Sequence, residues 1–242
     1  MLKIMLKFFL LIPFVMYYPN QAMAIQINSM LIIADDNDSG IITITNTQNH
    51  RVFLNGLMSE IRVVDGEIER HHYDRSNIDK WKIDIRPART IIDQGLEKDF
   101  KINLKCAPNC KREYDEVFKL SLIPTPYLGD DDDNHTVQMA VGFAPVFIAP
   151  GKEYPLDYSI NNDEEKVTIH NKGESFIKVK LSSCETNKPK LSKTNCNRTV
   201  YVLAGRVLSL DLSEDMKGEE LLVSLSTYKD KYVERVKLIN EG

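Results

Sequence analysis

Four cysteines, five histidines and one run of aspartates are the residues of this 242-residue chain best suited to chemistry beyond packing. The cysteines form two close pairs, Cys106/Cys110 and Cys184/Cys196. Their spacings match no zinc finger and lack flanking histidines, so short disulfide loops are favoured over a metal site wherever the compartment is oxidising. Each bridge would staple a hairpin rather than hold the fold together. Asp35–Gly40 copies the first half of a calcium-binding EF-hand loop, but position 12 is Asn46 instead of a bidentate glutamate. Turn chemistry accounts for the same residues. Asp130–Asp133 could attract a cation, although such a run is ordinarily a solvated, self-repelling loop. His71 and His72 are neighbours, which a strand would turn to opposite faces. There is no G-x-S-x-G, no H-E-x-x-H and no phosphate loop, and no catalytic triad can be assembled from the scattered Ser, His and Asp residues. The sequence names no catalyst, cofactor or metal.

The elements that would position these residues are strands. Apolar and polar residues alternate in Ile42–Thr45, Phe100–Leu104, Phe118–Leu122, Ile177–Leu181, Leu208–Leu212 and Leu221–Leu225. Such a period of two marks strands with one face on a core and one in water. Asp36–Gly40, Asp65-Gly66, Asn171–Gly173 and Ala204-Gly205 supply turns between them. No stretch reads as a long amphipathic helix, so the chain is all-β.

About seven candidate strands precede Pro150 and about seven follow it, the number expected of an immunoglobulin-like sandwich in each half. Ala149–Pro155, with two prolines and a glycine, marks the break. The spacing therefore predicts two immunoglobulin-like β-sandwich domains in tandem, over residues 25–149 and 150–242. The single Trp81 is not bracketed by widely spaced cysteines, so an antibody-type core is absent.

Met1–Ala24 differs from the rest. Lys3 and Lys7 precede the apolar run Phe8–Tyr18 and an Ala22-Met23-Ala24 site, the pattern of a cleaved secretory signal peptide. Pro13 and Pro19 interrupt the run, which falls short of the roughly 20 apolar residues a span needs. Loss of the two lysines takes the net charge from −4 to −6. That balance argues against nucleic acid as a partner.

One segment does not behave like a core strand. His135–Ala149 reaches about 50 Å if extended, against about 17–20 Å for a common strand. Val137, Met139, Val141 and Phe143 share one face; Gln138, Ala140 and Gly142 share the other. Natural edge strands are short, charged or bulged, whereas this segment is long, apolar and uncharged. It is either a covered core strand or a strand meant for pairing.

With these residues in view, the chain resembles the PapD-like periplasmic pilus-assembly chaperones of the chaperone–usher pathway. Pro87–Gly95 is similar to that family's proline, hydrophobic, acidic-x-glycine segment, and Phe118–Pro124 to its strand ending in proline before an acidic loop. Val137–Val141 resembles the donor strand, and Val167–Gly173 the strand ending in an Asn-x-Gly turn. Cys184/Cys196 followed by Val200–Gly205 is similar to the alternative-class fimbrial chaperones. The resemblance implies a non-enzymatic periplasmic protein that binds pilus or fimbrial subunits. It would lend its long strand to their incomplete sandwiches and deliver them to an outer-membrane usher. Val137, Met139, Val141 and Phe143 would fill the subunit's pockets, through main-chain pairing and alternate side chains. Self-association of the subunit-free protein would follow from an exposed apolar edge.

One departure stands out. Many family members anchor the subunit's terminal carboxylate with an arginine in the first strand and a lysine in the donor strand. Neither Ile25–Ala34 nor His135–Ala149 contains a Lys or Arg. Arg89, or else Arg86, is the substitute on chemical grounds. The competing reading is an exported structural or adhesive two-domain protein without a client.

Overall fold

The computed structural model describes residues 24–107, 110–126, 141–184, 195–218 and 220–238. The leader expected over residues 1–24 lies outside them except for Ala24. Seventeen strands account for nearly all regular structure. The first ten are β1 (Ile25–Ile27), β2 (Leu31–Ile33), β3 (Ser39–Asn46), β4 (Val52–Val64), β5 (Glu67–His72), β6 (Ile83–Arg86), β7 (Arg89–Ile92), β8 (Glu97–Leu104), β9 (Glu116–Pro126) and β10 (Val146–Ala149). The remaining seven are β11 (Tyr158–Asn162), β12 (Lys166–Asn171), β13 (Ile177–Ser182), β14 (Asn197–Val202), β15 (Val207–Asp211), β16 (Leu221–Ser226) and β17 (Val233–Leu238). Among the described residues, no strand of the first ten pairs with one of the last seven.

The N-terminal sandwich packs a sheet of order β1-β3-β8-β6 against one of order β2-β10-β9-β4-β5, with β7 also on β4. The first strand is split: β1 runs antiparallel to β3 in one sheet, and β2 runs parallel to β10 in the other. Ile42, Ile44, Phe100, Ile102, Leu54, Phe118, Leu120, Leu122 and Phe147 point inward from both sheets and are fully buried. Burying a side chain of this size contributes about 1.5–3 kcal/mol, and nine of them dominate the domain's stability. The C-terminal sandwich packs β11-β12-β15 against β14-β13-β16-β17, around Val167, Ile169, Val179, Leu181, Val223 and Leu225.

Five of the six alternating runs lie wholly on strands and the sixth, Leu208–Leu212, ends one residue past β15; among the described residues ten strands precede Pro150, against the seven or so expected. The excess comes from the split first strand and from short strands such as β6 and β7. Two 3-10 turns, Arg75–Lys80 and Tyr228–Asp230, interrupt the β pattern among the described residues; Asp74 caps the first by accepting from the Ser76 amide. Asp35 accepts the Asn37 and Ser39 amides at 2.9 Å each, so the EF-hand-like residues are a turn leading into β3. Cys106–Cys110 and Cys184–Cys196 are disulfide-bonded.

Each sandwich closes one corner with a buried asparagine at the end of a strand. Asn46 Nδ2 donates to the His50 and Ile92 carbonyls at 2.9 and 3.0 Å. Asn171 Nδ2 likewise donates to the Ser175 and Val202 carbonyls at 2.9 and 3.0 Å. Both residues are wholly inaccessible, so truncation strands two acceptors in each case. Asn46→Ala is expected to lower the unfolding free energy by about 1–3 kcal/mol, measured as a shift in urea midpoint at constant slope.

The sandwiches meet along an apolar seam. Ile61, Val117 and Ile148 from the outer face of the β9 sheet pack with Phe176, Leu203 and Tyr228. Polar pins flank it: Arg206 Nη1 donates to the Gly66 carbonyl at 2.7 Å and meets Glu67 at 2.5 Å, and Lys229 meets Asp36 at 3.1 Å. Asp115 accepts from the Gly151 amide at 2.8 Å and from the Phe176 amide at 2.6 Å. Burial raises the Asp115 carboxyl pKa, against the opposing effect of those two amides and of Arg112.

Candidate functional site

The segment that precedes β10 is held against β9 by three main-chain bonds. Phe143 and Leu122 exchange N–H···O bonds at 2.8 and 2.9 Å, and the Leu120 amide donates to the Pro145 carbonyl at 2.9 Å. Regular pairing resumes only at Val146–Ala149, opposite Glu116–Lys119. The continuous strand expected over His135–Ala149 is therefore broken at Pro145, which has no N–H to donate. Val137 and Met139 lie outside the described residues.

The two described members of the apolar set sit in different surroundings. Phe143 lies opposite Leu122 and packs, half-buried, against the domain's own core. Val141 is 67% exposed, the most open of the large apolar residues. A Cβ on Gly142 would lie 3.3 Å from the Leu122 carbonyl oxygen, so the small residue in the alternate phase lets the segment lie close to β9.

Arg89 and Arg86 are three positions apart but on different sheets, because the chain turns at the cis Arg86–Pro87 bond. Arg89 lies opposite Asn55 on the outer face of the β9 sheet and donates to Asn55 Oδ1 at 3.1 Å. Asn55 in turn opposes Ile123, so Arg89 shares a cross-sheet row with the exposed end of β9. Arg86, on β6, is 80% exposed and meets Asp84 at 2.6 Å.

Where the resemblance would place cations, the structure has hydrocarbon. Leu31 and Ile33 of β2, and Val146 of β10, pack on the apolar seam. The next residue across the sheet from Val146 is Lys119, itself opposite Ser59. Lys119 is half-buried and has no hydrogen bond or ion pair among the described residues. Nothing in the sequence singles it out, because in Phe118-Lys119-Leu120 it reads as the solvent-facing member of an alternating strand. Its setting comes from Val146 and Leu31, which only the folded sheet brings beside it.

A cleft borders the seam, lined by Glu60, Arg62, Lys82, Glu116 and Leu203 among others. Lys82 bridges Glu60 and Glu116 at 3.1 and 3.0 Å, and Arg62 meets Glu60 at 3.1 Å. Burial pushes the Glu60 carboxyl up, but Arg62 and Lys82 outweigh it, so its pKa is lowered on balance. These charges satisfy one another. Among the described residues, no three His, Cys, Asp or Glu side chains cluster to hold a metal ion.

Comparison with known proteins agrees with this architecture. The chain matches a chain of the CsuC–CsuE chaperone–tip adhesion subunit pre-assembly complex from archaic Csu pili of Acinetobacter baumannii (TM-score 0.53, 12% identity, 90% of this chain and 100% of that one). It also matches the class 5 fimbriae chaperone CfaA (TM-score 0.51, 11% identity, 90% and 100%). A third match is to the complex of Salmonella enterica SafA pilin with the SafB chaperone (TM-score 0.53, 9% identity, 91% and 98%). At these identities the likeness establishes the fold: two immunoglobulin-like domains, nearly all β. No curated relative matches by sequence. The model describing the CS5 fimbrial protein N-terminal domain matches residues 27–150, more than half of the chain, and the protein belongs to that family.

Proposed function

We propose that the protein is a non-enzymatic periplasmic chaperone that binds fimbrial subunits by lending them the strand before β10, and passes them to an outer-membrane usher. The observation that carries this reading is Val141. It is a large apolar side chain, open to solvent, on a segment already held to the edge of a sheet and free of charge from His135 to Ala149. Such an edge would be an aggregation liability unless pairing were its role. Several solved structures with this fold are chaperones or chaperone–subunit complexes, which supports a subunit as the partner.

In this reading Val137, Met139 and Val141 enter the subunit's groove, while Phe143 fixes the donor segment to its own domain. Main-chain bonds give affinity and alternate side chains give selectivity. The test is co-expression of the fimbrial subunit with a Met139→Asp/Val141→Asp variant. The variant should be exported and folded by circular dichroism, while the subunit aggregates or is degraded. Normal subunit levels would remove the donor-strand assignment and favour an adhesive or structural protein without a client.

Lys119 is the carboxylate anchor in this reading, with Arg89 as the alternative; Arg86 lies on the other sheet. An unpaired, half-buried ammonium gains most from an incoming carboxylate, since a hydrogen bond to a charged group is worth about 1.5–3 kcal/mol. Lys119→Gln is therefore expected to weaken subunit capture about 10- to 100-fold in a quantitative pull-down, and Arg89→Gln to change it little. The reverse ranking would assign the anchor to Arg89.

A further inference from the structure

The C-terminal sandwich carries a cationic sheet face in a chain that is acidic overall. On the outer side of β13-β16-β17, Lys180, Ser224 and Arg235 form one cross-strand row, and Ser182, Leu222 and Lys237 form the next. Lys178 extends the patch along β13. Lys178, Lys180, Arg235 and Lys237 are all exposed. Only Lys237 has a partner, Glu220 at 2.7 Å; the other three have no hydrogen bond or ion pair among the described residues. A groove on this face is lined by Lys180, Ser182, Ser224, Arg235 and Lys237.

The spacing of this face suits one kind of ligand. Residues two apart on a strand are about 6.6 Å apart, and β13 and β17 lie about 9.6 Å apart across β16. An extended acidic segment laid along β16 would have cations on both sides at the repeat of its own alternate side chains. The sequence contains one uninterrupted run of four carboxylates, Asp130–Asp133.

We propose that this face takes the Asp130–Asp133 run of a second copy of the chain, so that the subunit-free protein associates through charge. A second copy is required by reach. The run follows β9, which starts at the interdomain seam and ends at Pro126, about 30 Å away at the rise of a strand. The three residues between Pro126 and the run, together with the run itself, span at most about 25 Å, too little to bring it back to its own C-terminal domain. The contact joins unlike surfaces, so it builds chains or rings unless two copies reciprocate.

Sedimentation of the purified protein tests this. In about 0.01 M salt, where screening extends to about 30 Å, the mass should exceed that of a monomer, and in about 1 M salt, where it falls to about 3 Å, the monomer should return. A Lys180→Glu/Arg235→Glu variant and an Asp131→Lys/Asp132→Lys variant should each be monomeric alone in low salt. Mixed together they should associate, because each then carries the complement of the other. A wild-type monomer in low salt would overturn the proposal. So would association that survives both pairs of reversals, or a mixture of folded variants that stays monomeric. Loss of association with the face reversal but not with the aspartate reversal would exclude this occupant. None of these outcomes bears on the donor-strand assignment, which is read from subunit levels.

Discussion

Arg112→Met is expected to lower the unfolding free energy by about 3–5 kcal/mol, the usual cost of leaving a buried charge without its partner. The Arg112 side chain is 13% exposed and that of Asp38 is 9% exposed, with Nη2 and Oδ1 2.7 Å apart. The same guanidinium donates from Nε and Nη2 to the Pro150 carbonyl at 3.2 and 3.1 Å, tying the segment after the Cys106–Cys110 disulfide to the connector. The other Asp38 oxygen accepts the Cys110 amide at 3.2 Å. Removing the guanidinium leaves a carboxylate with one weak donor and a connector carbonyl with none. Urea unfolding should show the loss, and Arg112→Met/Asp38→Asn should recover part of it, because most of the cost is the orphaned charge. A double variant no more stable than Arg112→Met would shift the cause to lost packing of the arginine stem.

A methyl group at Gly151 should act on how the two domains are joined. An added Cβ would lie 2.4 Å from the Tyr114 carbonyl carbon, 2.6 Å from its oxygen and 2.8 Å from the Glu113 oxygen. These are backbone atoms, which cannot rotate aside, so either the connector or the 113–114 loop must move. The Gly151 amide donates to Asp115, which also holds the Phe176 amide of the second domain, so displacement loosens both. Overpacking of this kind costs about 1–3 kcal/mol, and here it falls on the junction rather than on either core. Scanning calorimetry of Gly151→Ala should therefore resolve two transitions where the parent shows more cooperative melting. A single transition merely shifted down would place the strain inside one domain.

Much of the fold was legible because its strands are amphipathic. Phe118-Lys119-Leu120-Ser121-Leu122 alternates, and its Phe and Leu residues are fully buried. Strand β4 was harder to read. Over Ser59–Ile61 it is buried on both faces, by the core on one side and by neighbouring side chains and the seam on the other, so no alternation survives there. The split first strand was hidden for a different reason: β1 and β2 are three residues each, too short to carry a period. Arg89 and, after it, Arg86 both stood as candidate anchors in the sequence, and only the fold shows that they lie on separate sheets. Lys119 shows the limit most clearly, since its relation to Val146 and Leu31 depends on a register between strands far apart in the chain.

The exchange of main-chain bonds between Phe143 and Leu122 also fixes a phase. In a two-residue repeat, one paired position decides the parity of every residue that continues from it. Leu122 faces the core, so Phe143 does too, and Val141, two residues before it, has the same parity. The apolar letters of the segment, Val137, Met139, Val141 and Phe143, are all odd. In the donor-strand reading proposed above, this one residue anchored in the protein's own core would set which side chains an incoming strand meets.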